Sequence, residues 1–279
     1  MINFWYVLIG GILLAIASAI VGVWLVLRKE ALTGDVVAHG VLPGVGMAFM
    51  LYGAKDMLVL SIGAAVSGFL SIYSIYALER HTKLKKDTIM AIVLSFFFAL
   101  GLWILVKIQA SGNSGVSGLE SFLFGKAASM LPQDILFSLI VVFLVACINF
   151  FSKRWLSYTT FDTLYSKSVG IRTNFANHVL TFMSILTIVA GLQSVGVVLM
   201  SAMLLTPAGI ALFLSKKMKR QNLNILFILS IAINMLVVIV GTSLSYIYPK
   251  TPTGPWIVVV CSLLALVLFK INKRGNISI

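Results

Sequence analysis

The stretch that decides the fold is F-W-Y-V-L-I-G-G-I-L-L-A-I-A-S-A-I-V-G-V-W-L-V-L, which runs from Phe4 to Leu27 without a charged residue. A run of about 20 apolar residues crosses a bilayer as a helix, because a helix satisfies its own backbone hydrogen bonds. This run is too long for the apolar part of a signal peptide, and it ends at Arg28 and Lys29 rather than at a small-residue cleavage site. We therefore expect it to remain as a membrane-spanning helix.

Similar apolar runs recur along the chain, in which 60% of the residues are hydrophobic and 10% are charged. A soluble domain carries about 25% charged residues. We expect an all-α, polytopic transmembrane helical bundle, with residues 1–279 forming one domain. The nine candidate spans are Phe4–Leu27, Gly34–Tyr52, Met57–Leu78, Thr88–Ala110, Leu131–Phe151, Phe175–Leu192, Ser194–Leu214, Leu223–Tyr248 and Trp256–Ile271.

The second candidate span, Gly34–Tyr52, differs from the others because it contains several glycines, a proline, Asp35 and His39. Irregular backbone and ionisable side chains are tolerated at membrane depth only where protein or a water-filled cavity surrounds them. We expect this segment to be broken or buried against other helices. If it is re-entrant instead, the chain has eight spans rather than nine.

The basic residues indicate the orientation of the spans, because cytoplasmic loops are enriched in lysine and arginine. With nine spans and the amino terminus outside, 17 of the 21 basic residues lie on the inner side; with eight spans the number is 15. The net charge of +13 comes from these loops, which would face anionic membrane lipid. No basic stripe interleaved with aromatic residues is present, so we expect no nucleic-acid partner.

One inner loop, Ser152–Asn174, is long enough to have a function of its own. It mixes aromatic residues with Asp162, Lys167 and Arg172. This amphipathic composition suits a segment that lies on a membrane surface or on a partner protein.

All the acidic residues except Asp35 fall in loops or at the ends of predicted spans, and His39 follows Asp35 four positions later. This spacing puts both side chains on one face of a helix, where an oxygen and a nitrogen can share a divalent cation. The alternative is structural: Asp35 caps the helix and His39 bonds a backbone carbonyl. Two ligands do not complete a metal shell, so a second copy of the chain, other side chains or water would contribute.

Other polar residues in the spans allow two interpretations. Gln193, Ser201 and Thr206 could line a path across the membrane, as could Asn177 and Asn234. Polar residues in membrane helices more often form hydrogen bonds between helices. No phosphate-binding loop is present, since Ala127 follows Gly125-Lys126 where serine or threonine is needed. Active transport would therefore need an ion gradient or a separate ATPase subunit.

Two longer motifs resemble the permeases of the ABC-3 family, the membrane subunits of bacterial manganese, zinc and iron importers. The first is G-D-V-V-A-H-G-V-L-P-G-V at Gly34–Val45, and the second is Q-S-V-G-V-V-L-M-S-A-M-L-L-T-P-A at Gln193–Ala208. Shorter motifs give weaker support: Phe161–Ile171, L-F-G-K at Leu123–Lys126 and T-G-P at Thr253–Pro255. These blocks follow the order of the family and extend over nearly the whole chain.

The resemblance implies that Asp35 and His39 contact the transported metal. It also implies a dimer of permeases in the bacterial cell membrane, two cytoplasmic ATP-binding subunits and an extracytoplasmic metal-binding protein. The stretch Phe161–Ile171 would dock on the ATPase, and Phe161, Asp162, Leu164 and Gly170 are its expected coupling residues. The chain would be a transporter subunit rather than an enzyme, without a permanently bound cofactor.

Two rival functions stay open at this point. A secondary carrier driven by protons or sodium would need no ATPase partner. An intramembrane metalloprotease is disfavoured, because the H-E-x-x-H motif is absent. Oxygen and nitrogen ligands allow manganese, zinc and iron(II), with manganese our first expectation.

Overall fold

The structure is a computed structural model that describes residues 2–53, 56–110, 130–171, 173–218, 222–248, 251 and 253–275. These ranges contain helices and no strand, which confirms the all-α prediction. The helices are α1 (Ile2–Leu27), α2 (Leu32–Gly40), α3 (Leu42–Tyr52), α4 (Met57–His81), α5 (Lys86–Ala110), α6 (Pro132–Phe161), α7 (Thr163–Ser168), α8 (Thr173–Ser194), α9 (Val197–Lys217), α10 (Leu223–Ile247) and α11 (Thr253–Gly275).

Among the described residues, 8 segments are long and apolar enough to cross a membrane. One of them, Leu32–Tyr52, consists of α2 and α3 together. The apolar part of α11, Thr253–Leu268, is shorter than the other segments. The chain is therefore a polytopic helical bundle, as its apolar runs predict.

Helix α1 lies at the centre of the bundle and packs against α6, α8, α9 and α10. Its Trp24 side chain is fully buried and donates a hydrogen bond to Asn149 of α6 over 2.8 Å. At Gly22 the helix touches α9 so closely that an added Cβ would lie 1.8 Å from the carbonyl oxygen of Leu204. Small residues allow such contact between membrane helices, where van der Waals packing replaces the hydrophobic driving force.

The break between α2 and α3 has a local cause. Pro43 has no backbone N–H, so it cannot donate to the carbonyl of His39 four residues earlier. Small residues then hold the broken segment against α4: Ser67 donates to the Gly40 carbonyl over 2.6 Å, and an added Cβ on Gly44 would lie 2.0 Å from the carbonyl oxygen of Gly63. The prediction that this segment is broken or buried against other helices is confirmed, and the structure shows both features.

A second proline, Pro207, lies inside α9 and leaves the carbonyl of Met203 without its helical donor. The buried side chain of Asn234 on α10 supplies the missing bond, with its Nδ2 atom 3.1 Å from the Met203 oxygen. The same Nδ2 atom lies 2.9 Å from Ser18 of α1. Asn234 therefore connects three helices, which supports the packing interpretation for this residue.

An ion pair decides between the two topologies. Glu30, in the turn between α1 and α2, accepts a hydrogen bond from Lys86 at the start of α5 over 2.6 Å. A re-entrant α2–α3 segment would put these residues on opposite sides of the membrane. The contact therefore contradicts the re-entrant alternative for this segment, and α2 and α3 together cross the bundle.

The loop prediction for Ser152–Asn174 needs correction. Helix α6 does not end at Phe151 but continues to Phe161, and α7 follows after Asp162. The amphipathic composition of residues 152–161 belongs to the carboxyl-terminal turns of α6, with Thr159 and Ser152 buried and Trp155 half-exposed. The length of an apolar run predicts where a span ends, at the first polar residues. The helix itself can continue beyond that point, as α6 does.

We predict that Gly44→Ala destabilises the protein by about 1–3 kcal/mol, because the added methyl group forces α3 away from α4. The measurement is thermal unfolding of the purified protein in detergent. Gly209→Ala is the matched control, since no atom lies within 4 Å of a Cβ added there. Equal unfolding temperatures for the two variants would contradict this packing.

Asn234→Leu should destabilise the protein by about 0.6–1.7 kcal/mol, the range measured for hydrogen bonds between membrane helices. The change leaves the Met203 carbonyl without a donor. Ser243→Ala on the same helix serves as the control, because among the described residues the half-buried Ser243 hydroxyl bonds the Ile239 carbonyl of its own helix and no other helix. Loss of stability confined to Ser243→Ala would refute the role of Asn234.

Candidate metal site

The short helix α2 carries both side chains predicted to bind metal. Asp35 lies in its first turn and His39 in its last turn, so the two project from one face. The helix packs against α4, α5, α8 and α9, and most of its residues are buried. The pair therefore lies within the helix bundle.

The half-buried Asp35 carboxylate forms no hydrogen bond or ion pair with any residue that the structure describes. It does not cap the helix, because the N-cap is Ala31 and no side chain caps this end. The helix dipole favours the carboxylate by about 0.3–1 kcal/mol, whereas burying a carboxylate without a partner costs more than that. A bound cation would offset the difference.

The His39 ring also has an unused ligand atom. Its buried Nδ1 has no hydrogen-bond partner among the described residues, so this nitrogen does not bond a backbone carbonyl. Phe98 of α5 packs against the ring at an angle of 68°, with the two ring centroids 4.7 Å apart. An unpaired buried nitrogen costs about 1–3 kcal/mol, and coordination of a metal ion would remove that cost.

The two side chains form an incomplete ligand set. The Asp35 carboxylate is close enough to interact electrostatically with the His39 ring. Carboxylate oxygen and imidazole nitrogen suit zinc, manganese and iron(II). The described part of the chain contains no group of three or more histidine, cysteine, aspartate or glutamate side chains that could hold a metal ion. Further ligands would come from water, another type of side chain or a second copy of the chain.

Of the three residues predicted to line a path, Ser201 and Thr206 lie on α9, and Gln193 lies near the end of α8. Ser201 is half-buried, one helical turn before Leu204, whose side chain packs over Gly34 of α2. Thr206 lies beside the Cys261 thiol of α11. The side chain of Gln193 lies outside the described part of the structure. A pathway role for these residues stays a prediction.

The predicted coupling residues surround the short helix α7. The Asp162 carboxylate accepts a hydrogen bond from the Tyr165 backbone over 2.8 Å and thereby caps the helix. Gly170 ends the segment with a φ of +78°, a conformation that glycine adopts without strain. Phe161 and Leu164 are 66% and 80% exposed. The segment is thus an ordered helix with an apolar surface. The Leu123–Lys126 motif lies outside the described residues.

Sequence reasoning missed the role of Arg28 at the end of α1. Its guanidinium donates three hydrogen bonds, to Thr160 over 3.1 Å, to Asn177 over 2.7 Å and to Thr159 over 2.9 Å. Burial lowers the pKa of Arg28, and Glu30 acts in the opposite direction. The partners lie 131 to 149 positions away, so no local pattern could have indicated these contacts.

Comparisons with known proteins agree with this architecture. The manganese transport system membrane protein MntC of Bacillus subtilis is 39% identical over 276 residues, which are 98% of this chain and 62% of that protein. The zinc transport system membrane protein TroC of Treponema pallidum is 33% identical over 271 residues, covering 97% of this chain and 89% of that protein.

A solved structure, PsaBC from Streptococcus pneumoniae in complex with Fab, superposes with a TM-score of 0.81 at 29% identity, over 94% of this chain and 89% of that chain. A family model described as the ABC 3 transport family matches residues 3–272. Because the match extends over almost the whole sequence, this chain belongs to the ABC 3 transport family and is a multi-pass protein of the bacterial plasma membrane.

Proposed function

We propose that this chain is the permease subunit of an ATP-driven importer for a divalent transition-metal ion. The observation that carries the proposal is the pair of unsatisfied ligand atoms on α2, the Asp35 carboxylate and His39 Nδ1, inside an apolar bundle. The names of the relatives support manganese or zinc as the cargo. Manganese is the first candidate, and the donor set also accepts iron(II).

The cargo gives up hydration water as it reaches Asp35 and His39, and the two side chains replace part of its shell. Two protein ligands are fewer than the four or more that these ions take. We propose that a second copy of this permease faces the first across the pathway and contributes its own pair. A homodimer would thus place two carboxylates and two imidazoles around one ion, which would neutralise a dication.

Energy for transport would come from cytoplasmic ATPase subunits that dock on α7. The exposed apolar side chains of Phe161 and Leu164 provide the contact surface, and the Asp162 cap holds the helix in shape. Binding of ATP would alternate the access of the Asp35–His39 pair between the two sides of the membrane. An extracytoplasmic metal-binding protein would deliver the ion from outside, and membrane lipid would surround the bundle.

Replacing Asp35 or His39 should abolish transport without unfolding the protein. We expect Asp35→Asn and His39→Gln to lower metal uptake by cells at least about tenfold, because each removes a ligand and metal-site substitutions typically cost 10–100-fold. Uptake of radioactive manganese and of zinc is the measurement.

Two exposed residues at the inner ends of the helices provide matched controls for the same substitutions. Asp87→Asn and His81→Gln change side chains that the structure leaves exposed, and we expect normal uptake and normal membrane levels. Wild-type uptake in the Asp35→Asn strain would refute the site.

The coupling helix predicts a separate defect. Leu164→Asp puts a charge into the proposed contact with the ATPase and removes a side chain whose burial contributes about 1.5–3 kcal/mol. We expect the ATPase to copurify at least about tenfold less with this variant. Leu131→Asp, at the opposite end of the bundle where Leu131 precedes α6, should leave copurification unchanged. Equal ATPase recovery with both variants would contradict docking on α7.

A further inference from the structure

The turn between α1 and α2 is fixed to two groups of helices at once. On one side, Arg28 bonds Thr159 and Thr160 in the last turns of α6 and Asn177 in α8. In the sequence, Thr159 and Thr160 precede α7 and Asn177 follows it. On the other side, Glu30 pairs with Lys86 of α5 at 2.6 Å, and Lys86 lies 3.5 Å from Glu79 of α4.

The backbone of this turn is tight. The Glu30 N–H bonds the Leu25 carbonyl over 2.9 Å, and the Lys29 N–H bonds the Val26 carbonyl over 3.1 Å. Lys29 has a φ of +59°, a conformation that costs a residue with a Cβ about 1–2 kcal/mol. Only Ala31 separates Glu30 from the start of α2. A displacement of the turn would therefore displace α2, because little chain is available to absorb it.

The connection from Arg28 to α7 is equally direct. Helix α6 is continuous through Thr159 and Thr160 to Phe161, and Asp162 caps α7 immediately afterwards. Thr159 directs its own hydroxyl to the carbonyl of Trp155 over 3.0 Å, which leaves its oxygen lone pair for the guanidinium. A small cavity of about 20 Å³ is lined by Arg28, Glu30, Lys86 and Asn177 together. The Arg28–Asn177 contact and the Glu30–Lys86 ion pair thus line the same cavity.

We propose that Arg28 is a positioning residue that transmits movement of the coupling helix α7 to α2 and its Asp35–His39 pair. The inference rests on the proposed function, since it explains how ATP binding outside the bundle reaches the metal site within it. Arginine suits the task because its planar guanidinium donates in several fixed directions at once, whereas a lysine ammonium is a compact charge on a flexible stem.

The test is the amount of metal transported per ATP hydrolysed by the permease–ATPase complex in lipid vesicles. We expect Arg28→Gln to lower this ratio about tenfold, within the usual range of coupling between sites, while ATP hydrolysis continues. Arg28→Lys should also lower the ratio, because charge alone does not reproduce the three bonds. Arg154→Gln is the control, since within the described part of the chain the exposed Arg154 side chain hydrogen-bonds the Tyr158 hydroxyl of its own helix and no other residue, and we expect a wild-type ratio.

Partner substitutions test the same network while keeping the charge of Arg28. Asn177→Leu and Thr160→Val should each lower the ratio, and neither should lower it further when combined with Arg28→Gln, because residues of one network are not additive. If Arg28→Gln does not assemble, these two variants decide the matter. A wild-type ratio in them, or equal losses of uptake and hydrolysis, would overturn the inference. Absence of ATP-dependent uptake by the wild-type complex would instead refute the proposed function.

Discussion

The structure depends on one constraint: a carboxylate and an imidazole must lie inside an apolar bundle with ligand atoms that no described residue satisfies. Among the residues that the structure describes, the Asp35 carboxylate has no hydrogen bond or ion pair, and Nδ1 of His39 is buried without a hydrogen bond. Both features cost free energy in a membrane. They are understandable if the cargo itself is the missing partner, because a bound dication would satisfy both groups and its departure would leave them ready for the next ion.

Much of the surrounding packing serves to keep that pair in place. Glycines and serines let α2 and α3 approach α4 within van der Waals contact, and Pro43 breaks the segment just after His39. Asn234 of α10 satisfies the Met203 carbonyl of α9 that Pro207 leaves without its helical donor. Each proline thus removes one backbone hydrogen bond from a helix that is next to α2 or packs against it. Close packing against α4 compensates at Pro43, and the Asn234 hydrogen bond compensates at Pro207.

The sequence was sufficient for features that depend on local composition. Apolar length predicted the spans, and the concentration of glycine, proline, Asp35 and His39 predicted a broken, buried segment. Family resemblance identified the ABC-3 permeases, which the match over residues 3–272 confirms. The ligand, coupling and pathway roles of individual residues stay predictions.

Features that depend on distant contacts could not be predicted in this way. The end of α6 was placed too early, because a helix can continue beyond its apolar stretch. Arg28 looked like one more basic residue at a membrane interface, yet it bonds residues of α6 and α8. The pairing of Glu30 with Lys86 joins residues 56 positions apart, and only the folded chain brings them together.

The most direct test of the central claim is pulsed electron paramagnetic resonance of Mn²⁺ bound to the purified permease. Coordination by His39 would couple the electron spin of the ion to an imidazole ¹⁴N nucleus. We predict that the wild-type protein shows this nitrogen coupling and that His39→Gln abolishes it. A wild-type spectrum without nitrogen coupling, or a coupling that persists in His39→Gln, would contradict the account.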